Sequence, residues 1–598
     1  MPGITGLITK MPREWAEPQL LQMVRTIQHE AFYTAGTWID ESLGIYVGWV
    51  ARKGSFSDGM PLRSSSGEVV LIFSGEDFSQ PTGADGYRPA AGLVNISYLA
   101  ELYGKDPTFP AGLNGRFHGL LVDRAAGTAM LFNDRYGMHR LYYHRSREAF
   151  YFSAEAKAIL AVLPELRSLD LQGLAETIVC GCVLGNRTLF QGIEVLPQAA
   201  SWTFRNASIE RESTYFDPKQ WEEQPALEPE VYYQEMRHAF SQSLPRYFDG
   251  AESIGMSLTG GLDTRLIMAW RKANPNSLPC YTFGGMYRDC QDVILARRIA
   301  HLCRQPHTVL EVGEDFLVNF SRYAERSIFL TDACVDVSRA PDLYVQERAR
   351  QIAPVRIAGT YGSEIIAHSV MFKPKEPEAG LFNREMLPHM QEAVATYDGY
   401  RREHPATFAA FRQSPWYHYG VLALEQTQVA IRTPYLDNEV VRTVFRAPDL
   451  TAESSDVRRR LIREGDPILG EMRTDRGVGG GQLSRAFQEF TFKAEYAYDY
   501  GMPQTVARID HFLSVLHPER LFLGRHKFYH FRIWYRDALS GYVREMLLDP
   551  RSLSRFYIDR KRVEAIVHGH LSGQQNYTNE IHRLLTLELV HRLFLDAK

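Results

Sequence analysis

The stretch Ser253-Ile-Gly-Met-Ser-Leu-Thr-Gly-Gly-Leu-Asp-Thr-Arg-Leu-Ile-Met-Ala-Trp270 decides how this chain folds. Ile254, Met256 and Leu258 alternate as in a strand, whereas Leu266, Ile267 and Trp270 recur at helical spacing. Directly after Ser257 and Leu258, the glycine turn Thr259-Gly260-Gly261-Leu262-Asp263-Thr264 joins the two. Such a turn leaves backbone N–H groups to surround phosphate oxygens at the positive end of the helix dipole. Thr259 and Thr264 add hydroxyl donors, and Asp263 is suited to hold magnesium against phosphates. No lysine closes the turn, so it is not a Walker loop. A lone Gly-Gly is more readily read as a βα turn with glycines for packing; the full string Ser/Thr-Gly-Gly-x-Asp-Ser/Thr is much rarer.

Outward from this point the texture of the chain divides. From about Val231, helices of ten or more residues alternate with short apolar strands, the pattern of a parallel α/β sheet, and from about Arg485 the chain is helix-rich and aromatic-rich. Residues 1–205 read as short strands with glycine-containing turns. Gly67–Phe73 reads as a strand ending at Ser74-Gly75. Phe117–Asp123 and Thr128–Phe132 flank a hairpin turn, and Leu141–Tyr143 pairs with Phe150–Phe152. A polar, proline-containing stretch, 206–230, reads as the linker to a second domain over 231–598.

The composition removes several classes of function. In 598 residues, Lys plus Arg number 67 against 71 Asp plus Glu, a net charge of −4, so the footprint of a general nucleic-acid binder is missing. No run approaches the roughly 18 consecutive apolar residues of a membrane span, and the first residues lack the pattern of a signal peptide. Six cysteines in so long a chain do not make a disulfide framework. A reduced cytoplasmic protein acting on a small molecule or peptide is expected, with no nucleic-acid or membrane partner.

The glycine turn resembles the pyrophosphate loop of enzymes that cleave ATP between its α and β phosphates, and other segments follow in the order found in asparagine synthetases. Ser74-Gly75-Glu76, Leu113-Asn-Gly-Arg-Phe117, Asp134–Tyr143 and Phe152–Leu160 resemble that family's amidotransferase half. Phe283-Gly284 with Asp289 and Asp292, the turn Gly359-Thr360-Tyr361-Gly362-Ser363-Glu364, and Arg432-Thr-Pro-Tyr-Leu-Asp437 resemble its ATP-dependent half. The resemblance implies an Ntn-type αββα sandwich followed by a PP-loop ATP-pyrophosphatase domain, an α/β parallel sheet with a helical C-terminal part. It also implies ATP and magnesium, held by Ser257 to Thr264, Phe283, Gly359 and Thr360, with Asp263 and Glu364 on the metal.

Departures from the family pattern shape the functional expectation. The family's glutaminase needs a cysteine thiol at position 2, and Pro2 stands there. Ser74 replaces the asparagine of the Asn-Gly-Glu turn, and the acidic residue expected near 95–97 is missing from Asn95-Ile-Ser97. Glutamine hydrolysis is not expected, which points to the branch of β-lactam synthetases and lasso-peptide cyclases. In β-lactam synthetases a tyrosine resembling Tyr361, paired with a glutamate, deprotonates the amine. Tyr361 reads either so or as an aromatic wall of the cleft, and Glu425 either as its partner or as an ordinary helix glutamate. Relatives carry a lysine late in the domain where this chain has Asp475; either Arg476 takes over the charge stabilisation or the loop has lost it. Arg459, within Arg458-Arg459-Arg460 and near Arg463, reads as a ligand of the phosphate tail or as part of a solvated helix face. The expected reaction is adenylation of a carboxylate and capture by an amine, in the same or a second molecule. The alternatives are an amidating enzyme fed by free ammonia or by a partner enzyme, and a nucleotide-binding scaffold. A homodimer is compatible with each.

Overall fold

The computed structural model describes residues 2–79, 98–286, 288–448, 454–477, 482–513 and 523–596. Asn95-Ile-Ser97 and Val478–Gly481 lie outside the described residues.

Two six-stranded antiparallel sheets form the N-terminal domain. The first runs Glu194–Val195, Tyr142–Arg145, Ala149–Ser153, Gly3–Thr9, Ile45–Arg52, Tyr33–Asp40; the second runs Ser208–Arg211, Ser201–Arg205, Thr128–Asn133, Gly115–Asp123, Val69–Asp77, Leu62–Arg63. Alternation assigns the faces. Ile4 and Ile8 of the central strand join Val47, Val70, Ile72 and Leu120 in the core between the sheets. Leu7, between them in sequence, points the other way, into a cluster with Leu20, Met23 and Ile27 of helix Arg13–Ile27. Helix Tyr98–Lys105 packs along the edge strands of the second sheet. The expected hairpins form, with Asp123 opposite Thr128 and Arg145 opposite Phe150.

Two features differ from the sequence reading. The strand that begins at Val69 does not end at Ser74-Gly75. It runs to Asp77, with Ser74 opposite His118 and Glu76 opposite Arg116, because the neighbouring strand Gly115–Asp123 continues the ladder past the glycine. Within the stretch read as a linker, Ser208–Arg211 adds an edge strand, and Phe216 and Trp221 are buried against Phe411 and Phe445 of the second domain.

The second domain holds a five-stranded, wholly parallel sheet in the order His307–Glu311, Cys280–Gly284, Ile254–Ser257, Val355–Ala358, Ala430–Arg432. Helices Leu262–Arg271 and Gln291–Leu302 share one apolar cluster with Met256 and Ile357, while Ala340–Ile352 and Tyr419–Gln426 contribute to another with Tyr281. The chain leaves the central strand toward one edge and returns to build the other. The strand order therefore reverses between Ile254–Ser257 and Val355–Ala358, and the two glycine turns emerge side by side at the carboxyl ends, where open α/β sheets bind ligands. C-terminal helices, including Arg560–Leu571 and Thr578–Val590, close over the domain. No helix among the described residues is long and apolar enough to cross a membrane.

The domains share one apolar cluster, in which Leu7 and Leu174 sit with Leu343 and Leu585. Polar contacts then fix their register. Fully buried Asp437 accepts from Asn114 Nδ2 (2.8 Å), Arg246 Nη2 (2.7 Å) and Tyr247 Oη (3.2 Å). Arg432 pairs with Glu76 (2.7 Å), and Arg52 with Glu252 (2.6 and 2.9 Å). Removing one member of a buried pair strands the other charge. Asp437→Ala should lower the unfolding free energy by about 3–5 kcal/mol, read from the shift of a urea denaturation curve; a change below about 1 kcal/mol would deny the carboxylate that role.

Candidate active site

The first glycine turn and the second meet at Asp263. A Cβ on Gly362 would lie 2.6 Å from Asp263 Cγ, and one on Gly359 would lie 2.8 Å from the backbone nitrogen of Thr264. Only glycine permits that approach. Asp263, in the first turn of helix Leu262–Arg271, accepts from Ser363 Oγ at 2.8 Å and from Arg458 Nη1 at 2.6 Å. Arg458 Nη1 also donates to Ser363 Oγ at 2.8 Å. The segment Arg432–Asp437 braces both turns, since Thr433 Oγ1 donates to Thr360 O (2.7 Å) and Tyr435 Oη to Asp263 O (2.6 Å).

The loop is partly self-satisfied, contrary to the open ring of amides expected. Thr259 N donates to Thr264 Oγ1 (3.2 Å), Gly261 N to Thr259 Oγ1 (3.3 Å) and Gly260 N to Asp292 Oδ1 (2.7 Å). Asp292, at the start of the next helix, thus offers a carboxylate oxygen to an amide suited to a phosphate. Ser257 and Leu258 finish the strand; Leu258 N bonds to Tyr281 O and its carbonyl accepts from Thr282 Oγ1, so its backbone belongs to the sheet. Leu262 opens the helix.

Glu364 is buried beside this pair. Burial, and then the charge of Asp263, push its carboxyl up to about 7. The ring nitrogen Nε2 of His418 is 3.4 Å from Glu364 Oε1. Among the described residues no three His, Cys, Asp or Glu side chains group to hold a metal alone. Magnesium, however, commonly takes one or two carboxylates and completes its shell with phosphate and water. Asp263 and Glu364 fit that pattern, and the Arg458 guanidinium already balances Asp263 with positive charge.

Other residues read from the sequence have different placements. Tyr361 is buried with φ at +74°, and its ring meets His418 edge-to-face at 5.5 Å. Its hydroxyl has no hydrogen-bond partner, and burial holds its pKa well above the ordinary phenol value. Glu425 does not supply that partner: it binds Arg356 Nη1 (2.6 Å) and Gln346 Nε2 (3.0 Å), because Arg356 on the neighbouring strand needs a counter-charge. Arg458, not Arg459, reaches Asp263, as the phase of helix Ser454–Gly465 turns the first of the three arginines inward. Arg476 stacks on Phe492 at 4.5 Å. Asp475 packs against Gly260, and burial followed by the charge of Asp292 pushes it up to about 6. Phe283, next to last in its strand, lies beneath Lys527, whose Nζ sits 3.5 Å from the ring centroid.

Arg458, Ser363, Asp292, His418 and Lys527 are therefore the residues the sequence reading did not assign. Ser363 and Arg458 belonged to motifs already in view; Lys527 lies in an unmarked C-terminal segment.

Comparison with known proteins places these features in context. A glutamine amidotransferase domain model matches residues 93–216 and an asparagine synthase model matches residues 235–465. "Asparagine synthetase [glutamine-hydrolyzing] 1" of Bacillus subtilis (strain 168) is 22% identical over 381 residues, covering 61% of this chain and 58% of that protein. The chain thus matches somewhat over half of that relative's length. Among solved structures, a glutamine phosphoribosylpyrophosphate amidotransferase from B. subtilis, complexed with ADP and GMP, is 10% identical over 52% of this chain and 65% of its own (TM-score 0.24). The NMN synthetase of Francisella tularensis is 14% identical over 37% of this chain and 93% of its own (TM-score 0.17). Such scores fall short of a shared whole-chain fold, and the architecture rests on the sheets described above.

The buried carboxyl of Glu364 yields a pH signature. Its folded-state pKa of about 7 exceeds the ordinary 4.5, so the stabilisation it contributes is full below pH 4.5 and is lost as pH rises through 7. Glu364→Gln stays neutral throughout and should exceed wild type by roughly 3 kcal/mol at pH 8 while nearly matching it near pH 4.5. Urea denaturation at both pH values reads this, and parallel pH dependence in the two proteins would refute it.

Proposed function

The chain belongs to the asparagine synthetase family, and we propose that it is an ATP-dependent ligase that activates a carboxylate and joins it to an amine without hydrolysing glutamine. The observation that carries this reading is the junction of two glycine turns at a sheet's switch point, with Asp263, Ser363, Glu364 and Arg458 converging on it. A triphosphate tail would displace the Asp292 carboxylate from the Gly260 amide and take the charge of Arg458. Asp263 and Glu364 would hold magnesium, which neutralises phosphate charge when bound.

In this proposal the substrate carboxylate attacks the α-phosphorus of ATP, the α–β phosphoanhydride bond breaks, and pyrophosphate leaves. The amine then attacks the acyl carbon, the acyl carbon–oxygen bond to the phosphate breaks, and AMP departs as the amide forms and the nitrogen's proton is released to solvent. The chain's own contribution is to align the reactants and to set positive charge where negative charge grows. Arg458 is placed for that work, and Lys527 adds a second cation near the strand end. Tyr361 serves here as a wall: a phenol without a carboxylate partner and with a raised pKa is a poor base at neutral pH.

The absence of a thiol from the corresponding N-terminal cavity supports the glutaminase-independent reading. Pro2, Ser74, Glu76, Arg116 and His139 line that cavity, and no cysteine does. Glu76 and Arg52, the charged groups best suited to an amino acid there, are engaged by Arg432 and Glu252.

ATP–pyrophosphate exchange against a panel of carboxylic acids tests the reaction. Acid-dependent exchange is expected, with a loss of about 100-fold or more in Asp263→Ala and no glutamate released from glutamine. Hydrolysis to ADP and phosphate, or full exchange in Asp263→Ala, would overturn the proposal.

A further inference from the structure

One cavity lies where three parts of the chain meet, and its charge is one-sided. Helix Leu171–Cys180 of the N-terminal domain gives one wall, residues 333–339 and 371–375 a second, and helix Thr578–Val590 the third. Its volume is about 260 Å³. Four cations line it, Arg339, Lys373, Lys375 and Arg583, against a single acid, Asp336. That acid is engaged: Asp336 Oδ1 accepts from Ser338 N at 3.0 Å and from the Ser338 hydroxyl. Arg339 has a distant partner in Asp342 at 3.5 Å. Lys373, Lys375 and Arg583 have no ion pair among the described residues.

A second observation points to a ligand. His582 lines the cavity, is 3% exposed, and its Nε2 has no hydrogen-bond partner. Its Nδ1 lies 2.7 Å from Tyr535 Oη. Burial holds this imidazole neutral, at about 4. Tyr535 Oη has no other partner among the described residues, so its hydroxyl proton is satisfied only by donating to Nδ1, which leaves the ring proton on Nε2 as an unused donor. Buried polar groups are almost always paired, so an idle donor where four cations face one acid calls for an acceptor with negative charge.

Elements leaving the nucleotide turns build this cavity. Tyr417 lines it, and the next residue is His418, which touches Tyr361 and approaches Glu364. Met371 and Phe372 follow helix Gly362–Ala367, which starts at the second turn, and Lys375 N is tied to Val179 O at 2.9 Å.

We propose that this cavity binds an anionic arm of the substrate, a carboxylate or phosphate group carried several bonds away from the carboxyl that is activated. The substrate class is then a polyanionic acid rather than an apolar or cationic one. This inference rests on the ligase reading for its meaning, but the anion site is testable without it.

Titration calorimetry at 0.15 M salt, where exposed charges are largely screened, uses tricarballylate and inorganic phosphate as probes, with acetate as the monoanionic control. Saturable binding of tricarballylate, of phosphate, or of both is expected, and which of them binds tells a carboxylate arm from a phosphate arm. Acetate should bind at least tenfold more weakly. The double variant Lys373→Ala/Lys375→Ala, changed only at exposed side chains, should bind at least tenfold more weakly with an unchanged melting temperature, and Arg583→Ala should do the same. Binding must survive Asp263→Ala. No saturable binding, unchanged affinity in the lysine double variant, or loss in Asp263→Ala would overturn the proposal. Retained anion binding without any ATP binding would leave the cavity standing while the ligase reading fell.

Discussion

The short segment Arg432–Asp437 is the constraint on which the rest of the molecule depends. Its first residue holds Glu76 of the N-terminal sheet, and its last is buried among Asn114, Arg246 and Tyr247. Between them, Thr433 and Tyr435 hydrogen-bond the backbones of the two glycine turns. A six-residue segment therefore ties the docking of one domain to the geometry of the loops in the other. Buried hydrogen-bonded charges tolerate little displacement, so the two turns, set side by side by the pairing of Ser257 with Ala358, are also braced at the domain boundary.

Charge compensation within the site is equally local. The loop presents amides and the helix end of Leu262–Arg271, both favouring an anion, and the protein supplies one in Asp292. Asp263 favours a cation and receives Arg458. Asp475 lies against the same loop and is driven toward its neutral form by burial and by Asp292. A triphosphate with a divalent ion carries both signs, and would replace these internal partners in kind, anion for Asp292 and cation for Arg458. The cost of opening the loop is thereby offset by contacts of the same type.

How much of this was legible in the sequence follows from the range of each interaction. The strand, turn and helix around Thr259–Thr264 are local patterns, and the hairpins at Arg124–Gly127 and around Ser146 are turn chemistry; these could be read directly. The course of Ser74–Asp77 could not, because the ladder to Gly115–Asp123 decides it. Helix phase explains why Arg458 and not Arg459 meets Asp263: three adjacent arginines look alike until the helix packs against Leu262–Arg271. Glu425 was read as a partner for Tyr361 or as an ordinary helix glutamate, whereas its partner, Arg356, comes from a strand more than sixty residues earlier. Lys527 reaches Phe283 through a C-terminal fold that no local signal announces.

A domain without a thiol in its cavity still has physical reasons to remain. Its first sheet and helix Leu171–Cys180 contribute to an apolar cluster that runs into the C-terminal helices, so its loss would expose Leu343 and Leu585 as well as its own core. Exposed apolar surface of that extent costs roughly 25 cal/mol per Å², far more than any single polar contact returns. The same helix walls the basic cavity, and the second sheet holds Arg432 through Glu76. Retention of the domain thus follows from packing before any chemistry is invoked: the second domain cannot present its turns, or enclose the space beside them, without the surface the first one supplies.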